Sequence, residues 1–290
     1  MATLVEWVEG ARPRTLPAAV APVIVGTGAA WPLHSAKLGF ALLALVVALA
    51  LQVGVNYAND YSDGIRGTDV RRVGPVRLVG QELAAPSTVK FAAIASFGSA
   101  GVVGLALVGL SNTPILILVG ALSIVAAWRY TGGPNPYGYR GLGEVFVFVF
   151  FGLVATLGTL YTQAHRLTWP GVLGAVGIGC LATAILVANN LRDIPTDTVH
   201  GKRTLAVRLG ERGTRGLYVT LVVIAVLAVG AIAAWWYIGA LLALVTLPLA
   251  WRGVRLVTSG ATGPRLIPVL LVTGLFEVAY AVALAIGMGL

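Results

Sequence analysis

The sequence predicts an all-α polytopic membrane protein, nine transmembrane helices forming one domain over residues 1–290. Three observations carry this. Of the 290 residues, 58% are apolar and only 11% charged, against about 25% charged in an ordinary globular chain. The charge-poor stretches recur at lengths near the ~20 residues that cross a bilayer. The 20 basic residues fall, with two exceptions, in alternate connections.

The elements follow in order. Residues 1–14 form an N-terminal segment, and 2–12 predict a short interfacial helix with Glu6, Glu9 and Arg12 among apolar residues. Those acidic residues do not fit the basic n-region of a signal peptide, so the first apolar run is expected to stay in the protein. Charge-poor runs then lie at 15–33, 39–58, 88–109, 114–128, 143–163, 169–188, 217–233, 235–250 and 267–289. Each reads as a helix because lipid leaves no partner for unpaired backbone. Only Trp235, Trp236, Tyr237 and Gly239 divide the stretch 217–250 into two spans. Trp31, Trp128, Trp169, Trp235, Trp236 and Trp251 fall at span ends, where indole rings sit at the headgroup level.

With the N-terminus on the cytoplasmic side of the cell membrane, Lys37 and Arg166 fall opposite and the other eighteen basic residues share the cytoplasmic face. Removing one middle span would scatter them. The formal charge of +9 therefore reads as topology: the partner is the lipid bilayer, and no nucleic-acid partner is expected. The single cysteine, Cys180, excludes an intrachain disulfide and a cysteine-rich metal site.

Acidic residues contribute little to orientation, yet five of the eleven lie in two groups. Asp60, Asp63 and Asp69 follow the second span, and Asp193 and Asp197 follow the sixth. Asn59-x-x-x-Asp63 and Asn189-x-x-x-Asp193 share one spacing, a weak sign of an internal repeat. Helical residues four apart share a face, so each group can turn oxygen ligands toward a common point, although Pro195 ends or kinks the second helix. Magnesium is typically held by one or two carboxylates together with substrate phosphates. The two groups on one side of the membrane thus suggest Mg²⁺ bridging a diphosphate, where each group alone reads equally as a turn-rich, solvated loop. Arg77, Arg140, Lys202 and Arg203 lie near these groups and have the chemistry to bind phosphate oxygens. Arg212, Arg215, Arg252 and Arg255 read as orienting charges.

The motifs Asn59-Asp60-Tyr61-Ser62-Asp63-Gly64, Gly74-Pro75-Val76-Arg77-Leu78, Tyr130-Thr131-Gly132-Gly133-Pro134, Tyr137-Gly138-Tyr139-Arg140-Gly141-Leu142-Gly143-Glu144, Asn189-Asn190-Leu191-Arg192-Asp193 and Gly201-Lys202-Arg203-Thr204-Leu205 span nearly the whole chain. On them the sequence resembles the UbiA superfamily of intramembrane aromatic prenyltransferases, and within it the branch that prenylates 1,4-dihydroxy-2-naphthoate. The wider superfamily has an acidic residue four positions beyond Asp63, where this chain has Gly67 and carries Asp69 instead.

The resemblance implies a nine-helix bundle around a cavity open to the cytoplasmic side, with the two aspartate motifs facing each other at its mouth. It implies Mg²⁺ held by Asn59, Asp60, Asp63, Asp69, Asp193 and Asp197, with Asp63, Asp193, Asp197 and Lys202 catalytic. Substrate contacts are expected from Asn59, Arg77, Tyr130, Tyr139, Arg140, Asn190 and Arg203. The implied reaction joins a polyprenyl diphosphate to 1,4-dihydroxy-2-naphthoate with loss of CO₂ and diphosphate, giving demethylmenaquinone. An enzyme for another aromatic acceptor, such as 4-hydroxybenzoate, would share the diphosphate chemistry.

Other polar residues fit less specific readings. Tyr130, Tyr137, Tyr139 and Glu144 read equally as acceptor-ordering residues and as interfacial anchors with a solvated helix start. Glu277 is a carboxylate inside an apolar span, by default a functional candidate. His34, His165 and His200 have no ligand spacing. Asp60-x-x-Asp63-Gly64 resembles the opening of the CDP-alcohol phosphotransferase motif, but the remainder of that motif is missing from the segment. An ion-coupled transporter would place carboxylates deep in the membrane, whereas most lie at one rim.

Overall fold

The computed structural model describes residues 2–67 and 76–290, and every regular element among them is helical. Asp69, with Arg71, Arg72, Gly74 and Pro75, lies outside the described residues. Helix α1 (Leu4–Gly10) is nucleated by a capping box in which Glu6 N donates to Thr3 Oγ1 and Thr3 N donates to Glu6 Oε2 at 2.6 Å. Its Trp7 packs edge-on against Tyr57, while Leu4, Val5 and Val8 stay exposed.

The expected spans appear as α2 (Pro17–Ala30), α3 (Leu38–Ile65), α4 (Pro86–Ser111), α5 (Ile115–Arg129), α6 (Gly143–Val147) continued by a π-helical turn and α7 (Ala155–Ala164), α8 (Trp169–Val199), α9 (Leu205–Trp235), α10 (Leu247–Thr258) with a preceding 3₁₀ segment, and α11 (Ile267–Gly289). Seven of these units are long and apolar enough to cross a membrane, and an eighth is a pair bent by 50° that joins the N-terminal segment to α2. The remaining expected span is α5. Its 15 residues rise about 22 Å, short of a ~30 Å hydrocarbon layer, so length alone does not make it a crossing.

Apolar runs located the helix centres and missed the ends. Helix α3 has 28 residues and α8 has 31, roughly 42 and 46 Å at 1.5 Å per residue. Each outruns the hydrocarbon by more than two turns, and the surplus turns carry the polar motifs. Helix α8 runs through Pro195 rather than ending there. Pro195 costs the helix the one backbone bond its N–H would have donated, to the carbonyl of Leu191, and the helix continues for another turn to Val199.

Helix α8 is the central post, with 78% of its apolar window buried, against 11% for α3. The main core surrounds it: Ile178, Leu181 and Leu191 of α8, Leu221 and Val229 of α9, and Phe276 and Leu284 of α11. A second cluster joins Tyr57 of α3, Leu78 of the following strap, and Val89 and Phe97 of α4. Leu118, Leu122, Leu227, Val245 and Leu271 are exposed on the outside of the bundle, as suits helices solvated by lipid. Because apolar side chains gain little by leaving lipid for one another, small residues set the closest approaches. At the π-helical turn Gly152 abuts α8 so closely that a Cβ on it would strike the Gly179 backbone, and a Cβ on Gly179 would strike the Phe148 ring.

Candidate active site

The bundle encloses a cavity of about 920 Å³ with one polar and one apolar end. The apolar end is walled by Ala44 and Val47 of α3, Gly104 and Val108 of α4, Ile117 of α5, and Phe150 and Val154 of the π-helical turn. The polar end collects Asn59, Asp63, Arg77, Tyr139, Asn190, Arg192, Asp197 and Lys202.

Both motif regions meet here. Lys202, in the turn after α8, places Nζ 3.2 Å from Asp63 Oδ2, and both side chains are buried. Tyr139 donates its hydroxyl to the other Asp63 oxygen, and Lys202 Nζ stands 4.5 Å from the centre of the Tyr139 ring. The turn holding Lys202 is fixed by its own N–H donating to Asp197 O at 2.8 Å and by Arg203 N donating to Tyr139 O at 2.9 Å. Residues 139, 63 and 197–203 are therefore one braced unit. On the same α3 face, Asn59 Oδ1 accepts a 2.7 Å bond from Thr131 Oγ1. Arg66 ties down the 131–133 loop by donating to the carbonyls of Thr131 and Gly133.

Asn190 of α8 lines the cavity, and its Nδ2 donates to Glu144 Oε1 at 2.9 Å, which leaves its carbonyl oxygen as an acceptor. Tyr130 and Tyr137 also line it and meet edge to face, with Phe146 stacked on Tyr137 at 3.9 Å. Tyr137 donates to Ala126 O, and burial pushes its pKa up, so the hydroxyl stays protonated.

Several expected site residues are placed differently. Asp60 is buried but does not line the cavity: its oxygens accept the backbone N–H groups of Leu78 at 2.7 Å and Val79 at 3.1 Å. It clamps the strap that carries Arg77, which is buried and does line the cavity. Gly64 has the matching role, since a Cβ there would collide with Val79. Asp193 lies beneath Arg192, whose Nε and Nη2 grip its oxygens at 2.7 and 2.8 Å; of this pair Arg192 faces the cavity. Arg140 and Arg203 line a separate outer cleft. Glu277 is fully buried in α11 and is not part of the cavity wall.

Other cavity residues were not anticipated. Arg12 sits on a left-handed residue (φ 55°) that turns the chain into the cavity wall. Gln52 and Asn56 of α3 are buried there and both donate to Thr15 Oγ1. The Arg12-Pro13-Arg14-Thr15 run was the available signal, absorbed into the count of orienting charges.

Among the described residues, no three Asp, Glu, His or Cys side chains stand together as a ready-made metal cage. The donor set is instead Asp63 and Asp197 with the amide oxygens of Asn59 and Asn190. These are hard oxygen ligands of the kind that hold Mg²⁺ when substrate phosphates complete the shell. Lys202 on Asp63 Oδ2 shows that this carboxylate already faces a cation. The residues fit the ion.

The Asp60 placement gives a first prediction. Asp60→Ala strands two buried N–H groups and is expected to lower stability by about 2–4 kcal/mol, read as a lower melting temperature. The Mg²⁺ concentration for half-maximal activity should stay put, and a large rise in it would make Asp60 a metal ligand after all.

A family model described as the UbiA prenyltransferase family matches residues 19–266. The chain belongs to this family. A Mycobacterium leprae (strain TN) member named 1,4-dihydroxy-2-naphthoate octaprenyltransferase is 58% identical over 288 residues, covering 98% of this chain and 96% of that one. An Escherichia coli (strain K12) protein of the same name is 43% identical over 221 residues, 74% of this chain and 72% of its own. Among solved structures, a UbiA homolog from Archaeoglobus fulgidus bound to DMAPP and Mg²⁺ has a TM-score of 0.68 at 15% identity, covering 97% of this chain and 99% of that one. An apo UbiA homolog from Aeropyrum pernix K1 reaches 0.72 at 14% identity, covering 94% and 98%. At such identities the structures establish the shared UbiA fold.

Proposed function

We propose that this UbiA family member transfers a polyprenyl group from an allylic polyprenyl diphosphate to 1,4-dihydroxy-2-naphthoate, with Mg²⁺ as cofactor, releasing CO₂ and diphosphate and forming demethylmenaquinone in its reduced, quinol form. The meeting of Lys202 with Asp63 at the polar end of a cavity whose other end is apolar supports this reading. One end suits a diphosphate and the other an isoprenoid chain. The naphthoate assignment draws on the relatives' names.

In this reading Asn59, Asp63, Asn190 and Asp197 hold the ion, and Asp193 sets the position of Arg192. Mg²⁺, when bound, contributes positive charge at the diphosphate oxygens, which lowers the barrier to their departure. The chain's own cations do the rest. Lys202, Arg77 and Arg192 border the same space and stabilise the charge that grows on the leaving diphosphate as the allylic C–O bond breaks with its electron pair. Tyr139 fixes Asp63 from the other side. The walls of Tyr130, Tyr137, Phe146 and Phe150 exclude water from the allylic cation and offer ring faces to it. The new C–C bond forms at the ring carbon bearing the carboxylate. That carboxylate leaves as CO₂, and its bonding pair restores the aromatic ring.

The bundle crosses the cell membrane nine times in this reading, counting α5 and the bent N-terminal pair, with the N-terminus and the polar cavity end on the cytoplasmic side. The basic bias supports that orientation, and the exposed Leu4, Val5 and Val8 of α1 suit an interfacial N-terminal segment.

Purified protein given Mg²⁺, a polyprenyl diphosphate and equal 1,4-dihydroxy-2-naphthoate and 4-hydroxybenzoate is expected to yield the decarboxylated naphthoate product, identified by mass. Exclusive prenylation of the benzoate would overturn the acceptor assignment, and no transfer to either would overturn the reaction.

A further inference from the structure

The cleft on the outer side of Tyr139 has a volume of about 360 Å³ and three exposed arginines, Arg140, Arg203 and Arg208, with no acidic residue in its wall among the described residues. Arg208 is structural: Nη2 donates to Arg140 O at 2.8 Å and Nε to Arg203 O at 3.2 Å. It thereby staples together two loops lying more than sixty residues apart in sequence. Arg140 and Arg203 are different. Among the described residues their guanidinium groups have no hydrogen-bond or salt-bridge partner. Two unpaired cations are thus held beside one concavity by a third.

Membrane topology accounts for the number of arginines on a face. It requires neither a shared concavity nor a third arginine bracing the backbone of the other two. Like charges lining one cleft repel, and an anion bound in it turns that repulsion into attraction. The guanidinium fork matches phosphate oxygens in particular. Position adds the second argument. Tyr139 contributes to this cleft and to the catalytic cavity alike, its hydroxyl on Asp63 and its ring under Lys202. One side chain separates the two spaces.

We propose that this cleft is a second anion site, outside the catalytic cavity, which takes a phosphate group through Arg140 and Arg203. The phosphate belongs either to free diphosphate leaving the reaction or to the headgroup of an anionic phospholipid. The inference rests on the prenyltransferase reading only for the first source.

The test is equilibrium binding of ³²P-labelled inorganic diphosphate to the full-length protein in phosphatidylcholine nanodiscs with EDTA. EDTA removes the ion that Asp63 and Asp197 would hold, and Lys202→Met removes a cation of the inner site, so diphosphate binding that survives both lies outside that site. Saturable, metal-independent binding is expected. It should weaken at least about tenfold in Arg140→Gln/Arg203→Gln, recover in part in Arg140→Lys/Arg203→Lys, and persist in Lys202→Met. The lysine pair also controls for folding. Competition by phosphatidylglycerol added to the discs would identify the headgroup as occupant, and its absence free diphosphate; either supports the site. Lack of metal-independent binding, or binding lost in Lys202→Met and kept in the glutamine pair, overturns it. Failure of the prenyltransferase reading would show separately, in the two-acceptor product assay.

Discussion

Asp63→Asn is expected to reduce prenyl transfer at saturating Mg²⁺ by about a thousandfold or more, while the protein still folds and inserts. The magnitude follows from the number of functions on one carboxylate. Asp63 faces Lys202 on one oxygen and Tyr139 on the other, at a point where both motif regions meet. Removing a single preorganised electrostatic contact to a transition state commonly costs 10²–10³ in rate. Here the loss also removes a negative ligand from the proposed ion. Asparagine keeps the shape and an acceptor for Tyr139, so the structural penalty is confined to the Lys202 ammonium left without its counter-charge, a loss that typically destabilises by about 3–5 kcal/mol. Asp63→Ala is harsher, because besides that charge it removes the acceptor for the Tyr139 hydroxyl and leaves a cavity in place of the side chain. Turnover by product mass and melting in detergent separate the two effects. Near-normal turnover in Asp63→Asn would remove the basis for the metal reading.

How far the sequence anticipated this site depends on the range of the interactions involved. The Asn59-x-x-x-Asp63 spacing was legible because helical periodicity is local, and the structure keeps both residues on one face of α3 at the cavity. Periodicity also placed Asp193 on the face of α8 shared by Asn189 and Asp197. It carried no information on Arg192, whose long side chain folds across and covers the Asp193 carboxylate. Asp60 shows the same gap. Its neighbours in sequence are metal-motif residues, but its partners are backbone N–H groups at 78 and 79, on a strap whose course no local pattern reveals.

Hydropathy found the spans and not their ends, since polar turns beyond the hydrocarbon stay helical only when tertiary partners hold them. Tyr139 and Lys202 hold the end of α3, and the strap holds it from behind. Arg12 escaped for a conformational reason: a left-handed backbone at a non-glycine residue reverses the direction of its side chain. Composition alone cannot disclose that.

The second large effect is expected from Lys202→Met, and its value lies in separating stability from catalysis. Without a bound cation Lys202 is a counter-charge of a buried Asp63, so the variant leaves a buried anion without that ammonium. It should melt well below the parent in EDTA, by the several kcal/mol typical of a broken buried pair. Adding Mg²⁺ should then restore more stability to Lys202→Met than to the parent, because the ion no longer displaces a resident ammonium from Asp63. The double variant Asp63→Asn/Lys202→Met, with no charge left to strand, should regain most of the stability and show the smallest Mg²⁺ response of the three. Catalysis follows another order. Lys202→Met should lose about a hundredfold in kcat/KM for the prenyl diphosphate, since a cation that meets the leaving group is gone, and the double variant should fall at least as low as Asp63→Asn alone. A cycle built from melting temperatures with and without Mg²⁺ and from kcat/KM for all four proteins decides the point. If Mg²⁺ stabilised the parent and Lys202→Met equally, Asp63 would not be the residue that exchanges Lys202 for the metal.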